Sequence, residues 1–204
     1  MPGVQDEAGE SLIAATPSTE RAHARRRPLV ILLIGVAVVT YLADQLSKIW
    51  AVWALTGEPP RDLVGSFLRL DLIRNPGAAF SLGTGSTWVL TLVAIAVLVV
   101  IVRTSRRIGS SGWAWAFGLL LGGALGNLTD RLVRDPGLGQ GHVVDFLNYN
   151  GYFIGNVADI AIVAAAGLIA ILAVRGIGVD GSRGASPDGR HEEHGHTPAE
   201  GERP

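Results

Sequence analysis

The feature that most constrains this chain is an apolar run with a carboxylate inside it. Residues 155–174, GNVADIAIVAAAGLIAILAV, are long enough to cross a bilayer, and Asp159 lies within the run. Because an ionised carboxylate in hydrocarbon is costly, an acidic residue at this place predicts a functional site. A second acidic residue, Asp145, lies nearby in the stretch HVVDFL. Two carboxylates that can meet near a membrane surface favour acid–base chemistry with a shared proton.

The composition also favours a membrane protein. The chain has 204 residues, of which 48% are hydrophobic and 17% are charged, and its mean hydropathy is +0.34. These values are typical of a small multi-span protein. A net charge of −1 gives no reason to expect nucleic-acid binding, and the absence of cysteine excludes disulfides and thiolate nucleophiles. We expect neither a cofactor nor a bound metal ion.

Four apolar runs predict four transmembrane helices in an all-α membrane protein. Their approximate bounds are 29–55, 86–102, 113–133 and 152–174. Each run is about as long as the hydrocarbon core is thick. The runs lie in a predicted domain over residues 28–175. The polar segments 1–27 and 176–204 are predicted to be a disordered cytoplasmic arm and a disordered cytoplasmic tail.

Arginine placement predicts the orientation of the spans. Arginines are dense in 1–27 and in the loop 103–112, and Arg175 starts the tail, whereas those of the other two loops are spread out. The bias predicts that both termini are cytoplasmic. In the first outer loop, residues 68–72 (LRLDL) alternate with period two, which indicates a short strand. We therefore expect a small extracytoplasmic β-containing segment between helices one and two.

The ionisable residues beside the spans gather at one depth, on the predicted outer side. Asp44 lies about 22 Å along span one, and Lys48 follows one turn later on the same face. The ends of spans three and four bring further polar residues to this level, namely Asn127, Asp130, Arg131, Asn156 and Asp159. Taken singly, each charge could be a local ion pair or an interfacial side chain. Together they predict a polar network.

Other chemistries fit the pattern less well. Ser47 beside Lys48 suggests a Ser–Lys dyad, but adjacent positions on a helix point in different directions. A proton-coupled transporter or channel component could use the same acidic residues, although a relay should place ionisable groups at several depths. A scaffold with only structural polar contacts is a third possibility. The histidines at 191–194 (HEEH) lack the spacing of a zinc-protease helix.

Several sequence blocks resemble the lipoprotein signal peptidase family, also called signal peptidase II. In the family's order they are DQLSK at 44–48, NPGAAFS at 75–81, GGALGNLTDR at 122–131, VVDF at 143–146 and NVAD at 156–159. The resemblance implies an aspartyl endopeptidase with Asp145 and Asp159 as its catalytic pair. It also implies six residues that bind substrate or support the pair, namely Asp44, Lys48, Asn75, Asn127, Arg131 and Asn156.

The same resemblance implies a substrate and a location. The substrates would be diacylglyceryl-modified prolipoproteins, cut just before the lipid-modified cysteine by acid–base activation of water. The enzyme would be a multi-pass protein of the bacterial cytoplasmic membrane, in contact with membrane lipid, with its active site near the outer face. We expect a monomer. Gly155 and Ile160 depart from the family, which often has Phe and a small hydroxyl residue there.

Overall fold

The structure, a computed structural model, describes the backbone of residues 17–77 and 87–183 and the side chains from residue 26 onward within those ranges. The helices are α1 (Pro17–Leu55), α2 (Thr87–Ser105), α3 (Ser111–Val133) and α4 (Val157–Val174). The strands are β1 (Arg61–Val64), β2 (Leu68–Asn75), β3 (Val143–Tyr149) and β4 (Phe153–Gly155). Helix α3 packs against each of the other three helices, and the strands lie against one end of α1 and α3.

Three helices of the described residues are long and apolar enough to cross a membrane, and they correspond to three of the four predicted spans. They are Arg26–Leu55 within α1, the whole of α2 and the whole of α4. Helix α3 is less apolar because its second half carries several polar residues. It also has ten buried residues, whereas α2 has two. A helix surrounded by other helices needs less hydropathy than one that faces lipid.

The first helix is longer than its predicted span. It begins at Pro17, a residue suited to a first helical turn because it has no N–H to leave unpaired. The sequence ERAHARRR at 20–27 is rich in good helix formers, so the helix continues into the stretch for which disorder is expected. Residues 1–16 lie outside the described part of the chain.

The start of the C-terminal tail is also folded. The backbone N–H of Gly109 donates to Val179 O at 2.9 Å. The indole Nε1 of Trp113 donates to Ile177 O at 2.9 Å. These bonds hold residues 176–183 against the loop between α2 and α3 and the start of α3, in contrast to the expected disorder. The rest of the tail lies outside the described residues.

The four strands form one antiparallel sheet in the order β1-β2-β3-β4. Strand β2 pairs with β3, with Ile73 opposite Asp145. The predicted strand at 68–72 is thus part of β2. The sheet also contains β3 and β4, which lie between α3 and α4 and were not predicted. Each of the two loops at this end contributes two strands, so the description all-α is too narrow.

The second pair of strands was missed for a physical reason. Strand β3 is buried along most of its length, so its sequence has no alternating pattern. The turn after it contains Asn150 and Gly151, both with positive φ, and Asn-Gly is a strong hairpin signal. The prediction that span four starts at residue 152 is wrong, because residues 153–155 form β4 and α4 begins at Val157.

Glycines on α3 let two helices come close to it. A Cβ on Gly118 would lie 2.7 Å from Val36 Cβ, and one on Gly122 would lie 2.6 Å from Ala37 O, both on α1. On the other side, a Cβ on Gly123 would lie 2.8 Å from Ala158 O of α4. The small residues on α3 therefore serve helix packing. Close packing brings the polar side chains of three helices into one layer.

Candidate active site

Lys48 is the centre of a buried ionic cluster. Its Nζ lies 2.8 Å from Asp44 Oδ2 and 2.9 Å from Asp130 Oδ2. It also donates to Asn127 Oδ1 at 2.9 Å. The side chains of Lys48, Asp44 and Asp130 are all 0% exposed. Three acceptors use all three N–H bonds of the ammonium, so Lys48 ties α1 to α3 and has no donor left for other chemistry.

Asp130 is a member of this cluster that is not among the eight site residues implied by the resemblance. Taken singly it could be an interfacial side chain, but the structure buries it as part of the predicted polar network. Besides Lys48, it accepts from Arg134 Nε at 2.8 Å and from the backbone N–H of Val144 at 3.1 Å. Its carboxylate therefore connects α3 to strand β3. The spacing of Asp130 and Arg134, one helical turn apart, was the available signal.

Asp44 connects α1 to the start of α4. Its Oδ1 accepts from the backbone N–H of Ala158 at 2.9 Å. The first N–H groups of a helix have no partner within the helix, and a negative charge is favourable there. Its Oδ2 accepts from Gln45 Nε2 at 3.0 Å in addition to Lys48. Asp44 thus fixes the end of α4 that carries Asp159.

Asp159 is held by amides on two sides. Its Oδ1 accepts from Asn127 Nδ2 at 2.9 Å. Its Oδ2 accepts from the backbone N–H of Asn156 at 3.1 Å, while Asn156 Oδ1 accepts from the Asp159 N–H at 3.1 Å. This reciprocal arrangement is a capping box at the start of α4. The carboxylate sits at the first turn of a helix with both of its oxygens bonded.

Asp145 lies on β3 and is held by side-chain amides. Its Oδ1 accepts from Asn156 Nδ2 at 2.6 Å, and its Oδ2 accepts from Asn75 Nδ2 at 2.8 Å. Burial raises the pKa of Asp145 to about 6, and the Asp159 carboxylate adds to the rise. The two amide hydrogen bonds and the Lys48 ammonium act in the opposite direction. A carboxyl group with this pKa can exchange a proton near neutral pH.

The two carboxylates share one bridging residue and two cations, Arg131 and Lys48. Asn156 contacts Asp145 through its side chain and Asp159 through its backbone. Arg131 interacts electrostatically with both carboxylates and with Asp130. Its Nη1 is buried and has no hydrogen-bond partner among the described residues. All eight predicted site residues thus belong to one connected layer formed by α1, β2, α3, β3 and α4.

A cavity of about 470 Å³ adjoins this layer. Asp159 and Asn156 form its polar edge, and Ile160 and Val163 of α4 line it with apolar side chains. Tyr149 and Phe153 line it from the sheet, at the β3–β4 hairpin. The cavity is partly open and Asp159 lines it, so a chain that enters the cavity could reach this carboxylate. Of the family block at 75–81, residues 78–81 lie outside the described residues.

The Ser–Lys dyad, the alternative considered for Ser47 and Lys48, is not formed. Ser47 Oγ donates to the Asp44 backbone carbonyl at 2.8 Å, and Lys48 Nζ is fully occupied elsewhere. No Ser–Lys hydrogen bond therefore exists in the described part of the chain. Across residues 26–77 and 87–183, no cluster of three histidine or acidic side chains could hold a metal ion. The histidines at 191–194 lie outside the described residues.

Comparison with known proteins decides the family. The family model described as Signal peptidase (SPase) II matches residues 36–175, which is more than half of the chain. The chain belongs to the signal peptidase II family. The match begins within α1 and ends one residue after α4, so it includes every residue of the site described above. The resemblance noted from the sequence blocks is confirmed.

Individual relatives agree with the family. A lipoprotein signal peptidase of Leifsonia xyli subsp. xyli is 46% identical over 175 residues, covering 84% of this chain and 81% of the relative. One of Rhodococcus jostii is 48% identical over 159 residues, covering 78% of this chain and 79% of the relative. These comparisons support the predicted lipoprotein signal peptidase function and give no support to the transporter alternative.

Solved structures agree with the fold. A bacterial membrane enzyme solved at 1.9 Å resolution has a TM-score of 0.61 and is 27% identical, covering 70% of this chain and 92% of its own. A second, solved at 2.3 Å resolution, has a TM-score of 0.59 and is 28% identical, covering 70% of this chain and 87% of its own. This member of the signal peptidase II family therefore shares its architecture with membrane enzymes.

Proposed function

We propose that the chain is an aspartyl endopeptidase in which Asp145 and Asp159 together activate water. The observation that carries the proposal is the position of Asn156, which donates to Asp145 Oδ1 at 2.6 Å and to Asp159 Oδ2 at 3.1 Å. One residue thus holds both carboxylates in a fixed relation. Two interacting carboxyl groups cannot both ionise at low cost, so they titrate as a pair that shares a proton.

The proposed reaction needs one proton on the pair. The ionised carboxylate takes a proton from water as the water oxygen bonds to the scissile carbonyl carbon, and the protonated partner donates a hydrogen bond to the carbonyl oxygen. The tetrahedral intermediate then collapses, the C–N bond breaks, and a proton passes to the departing amine. Arg131 interacts electrostatically with both carboxylates, and its unpaired Nη1 supports a role in orienting the substrate backbone.

The proposed substrates are lipid-modified prolipoproteins, as the names of the relatives imply. The scissile peptide would lie in the 470 Å³ cavity, against the polar edge formed by Asp159 and Asn156. The apolar side chains on the α4 wall suit the hydrophobic part of a signal peptide. Since all eight site residues come from one chain, a monomer suffices.

The proposed location is the bacterial cytoplasmic membrane, with α3 as a fourth span. Length supports this, because the 23 residues of α3 rise about 35 Å, enough to cross the hydrocarbon core. With four spans and an arginine-rich side inward, both termini are cytoplasmic and the carboxylates lie near the outer face.

A cleavage assay tests the function. Purified full-length protein is given a precursor peptide with or without the diacylglyceryl group on its cysteine, and the products are identified by mass spectrometry. We expect cleavage just before the cysteine, with strong preference for the modified precursor. Asp71→Asn is the control for Asp145→Asn and Asp159→Asn. It makes the same chemical change, but Asp71 bonds to Asn148 rather than to the site, so this variant should still cleave the precursor. Cleavage elsewhere, or equal cleavage of both precursors, would contradict the proposed substrate.

A further inference from the structure

A second polar cavity lies at the end of the bundle opposite the candidate active site. Its volume is about 700 Å³, and it is formed by the first part of α1, the loop between α2 and α3, and the segment after α4. Its charged lining consists of Arg26, Arg106, Arg107 and Asp180. Three guanidinium groups against one carboxylate make this cavity, the basic pocket, electropositive.

The arginines of the basic pocket have no acceptor among the residues that the structure describes. Arg26 Nε is buried and has no hydrogen-bond partner among the described residues. Within the described part of the chain, none of the three arginines forms an ion pair. Asp180 is engaged by Ser182, which donates through its backbone N–H at 3.0 Å and its hydroxyl at 2.6 Å. A buried donor without an acceptor is costly, and an anion in the pocket would supply one.

The wall of the basic pocket is fixed by backbone contacts. Gly109 and Gly181 approach so closely that a Cβ on Gly181 would lie 2.7 Å from Gly109 O. The bond from Gly109 N–H to Val179 O and the bond from Trp113 Nε1 to Ile177 O hold the same two segments together. This wall of the pocket is therefore held in place by contacts within the protein.

An apolar groove lies next to the basic pocket, further along α1 and α3. Its volume is about 370 Å³, and it lies between α1 and α3. On α1, Leu29 of the pocket is followed by Leu32 and Val36 of the groove. On α3, Ser111 of the pocket is followed by Trp115 of the groove. Spacings of three and four residues place each series on one helix face.

We propose that the basic pocket and the apolar groove form one binding site for an anionic phospholipid. The guanidinium groups would hold the phosphate, for which arginine provides paired donors, and the groove would hold an acyl chain. The depth is suitable, because Arg26 lies eighteen residues before Asp44 in α1, or roughly 27 Å along the helix. That distance is close to the hydrocarbon thickness, so the pocket lies at the headgroup level of the leaflet opposite the active site.

A titration tests the pocket. Full-length protein in non-ionic detergent is titrated with dioctanoyl phosphatidylglycerol, dioctanoyl phosphatidylcholine or inorganic phosphate, and binding is measured by native mass spectrometry. We expect one phosphatidylglycerol per chain, with weaker binding of the other two. Arg106→Gln with Arg107→Gln should reduce the affinity for phosphatidylglycerol roughly 25-fold, about fivefold for each arginine. The matched control, Arg103→Gln with Arg175→Gln, changes two exposed arginines at the same end that do not line the pocket and should stay within twofold.

A second variant tests the groove. A side chain at Gly35, which lines the groove, meets open space, because nothing lies within 4 Å of its Cβ position. The Gly35→Leu variant should therefore fold, and its leucine should fill the groove. It should weaken the binding of phosphatidylglycerol but not the binding of inorganic phosphate. If the control pair loses as much affinity for phosphatidylglycerol as the pocket pair, the binding would come from diffuse surface charge and the proposed site would be wrong. Equal affinity for inorganic phosphate, unaffected by Gly35→Leu, would leave only an ion site. If lipid binds only after residues 184–204 are removed, the occupant of the pocket in the full-length protein would be the tail and not a lipid.

Discussion

Replacing Lys48 with methionine should strongly destabilise the protein, and the structure predicts which of its two acidic partners causes the loss of stability. The substitution keeps the volume but removes the charge that faces Asp44 and Asp130, both 0% exposed. Asp130 keeps a cation, because Arg134 Nε lies 2.8 Å from its Oδ1. Asp44 keeps only neutral donors, the Ala158 N–H and Gln45 Nε2. The uncompensated charge is therefore that of Asp44.

The expected size follows from this difference. Removing one partner of a buried ion pair costs about 3–5 kcal/mol, because the other charge stays buried alone. Adding Asp44→Asn to Lys48→Met should recover most of that loss, since a neutral amide needs no counter-charge. Adding Asp130→Asn should recover much less, because it leaves Asp44 charged and Arg134 unpaired. The exposed pair of Arg61 and Glu58 gives a matched comparison, in which Arg61→Gln should cost less than about 1 kcal/mol.

The assay is equilibrium unfolding in mixed detergent, with the melting temperature as a second readout. The wild type is compared at one pH and one salt concentration with Lys48→Met, Asp44→Asn, the two double variants and Arg61→Gln. Equal recovery by Asp44→Asn and Asp130→Asn, or strictly additive effects at Lys48 and Asp44, would refute the argument, because a direct pair must show coupling.

Three further outcomes follow from the site and the proposed topology. Since the folded-state pKa of Asp145, about 6, exceeds its ordinary value of 3.8, its contribution to stability should be fully present below pH 4 and fall by about 3 kcal/mol as pH rises to 6. Unfolding curves of Asp145→Asn should lack this fall; an identical pH profile would contradict it. Ser47→Ala should keep most of the cleavage rate, and complete loss with intact folding would revive a serine mechanism. Reporter fusions after Leu55 and Arg134 should read as external and one after Arg107 as internal; an odd number of crossings would contradict four spans.

Local sequence patterns predicted much of the fold. The apolar runs predicted α2 and α4 because lipid-facing helices must be apolar almost all round. The run at 113–133 predicted α3 as well, although the polar residues of its second half lower its hydropathy. Strand β3 could not be read in the same way, because burial on both faces removes the period of two. The Asn150–Gly151 pair did signal the hairpin, but the apolar residues after it resembled the start of a span.

The site was predictable where its members are close in sequence or match a family block. Asn156 and Asp159 are three residues apart on one helix, and the structure joins them in a capping box. The bond between Asp44 and the Ala158 N–H joins residues 114 positions apart, so no local pattern contains it. The burial of Asp130 likewise depends on β3 lying over α3. Roles that arise from such packing require the fold.

The most direct test of the central claim is the single-turnover cleavage rate of a lipid-modified precursor by Asp145→Asn, Asp159→Asn and the double variant. Asparagine keeps the size of each side chain but cannot exchange the proton, so each single variant should lose nearly all activity while remaining folded in the membrane. Because residues that act as one unit are not additive, the double variant should be no slower than the slower single variant. Near-normal turnover by either single variant, or multiplicative losses in the double, would contradict a shared-proton pair.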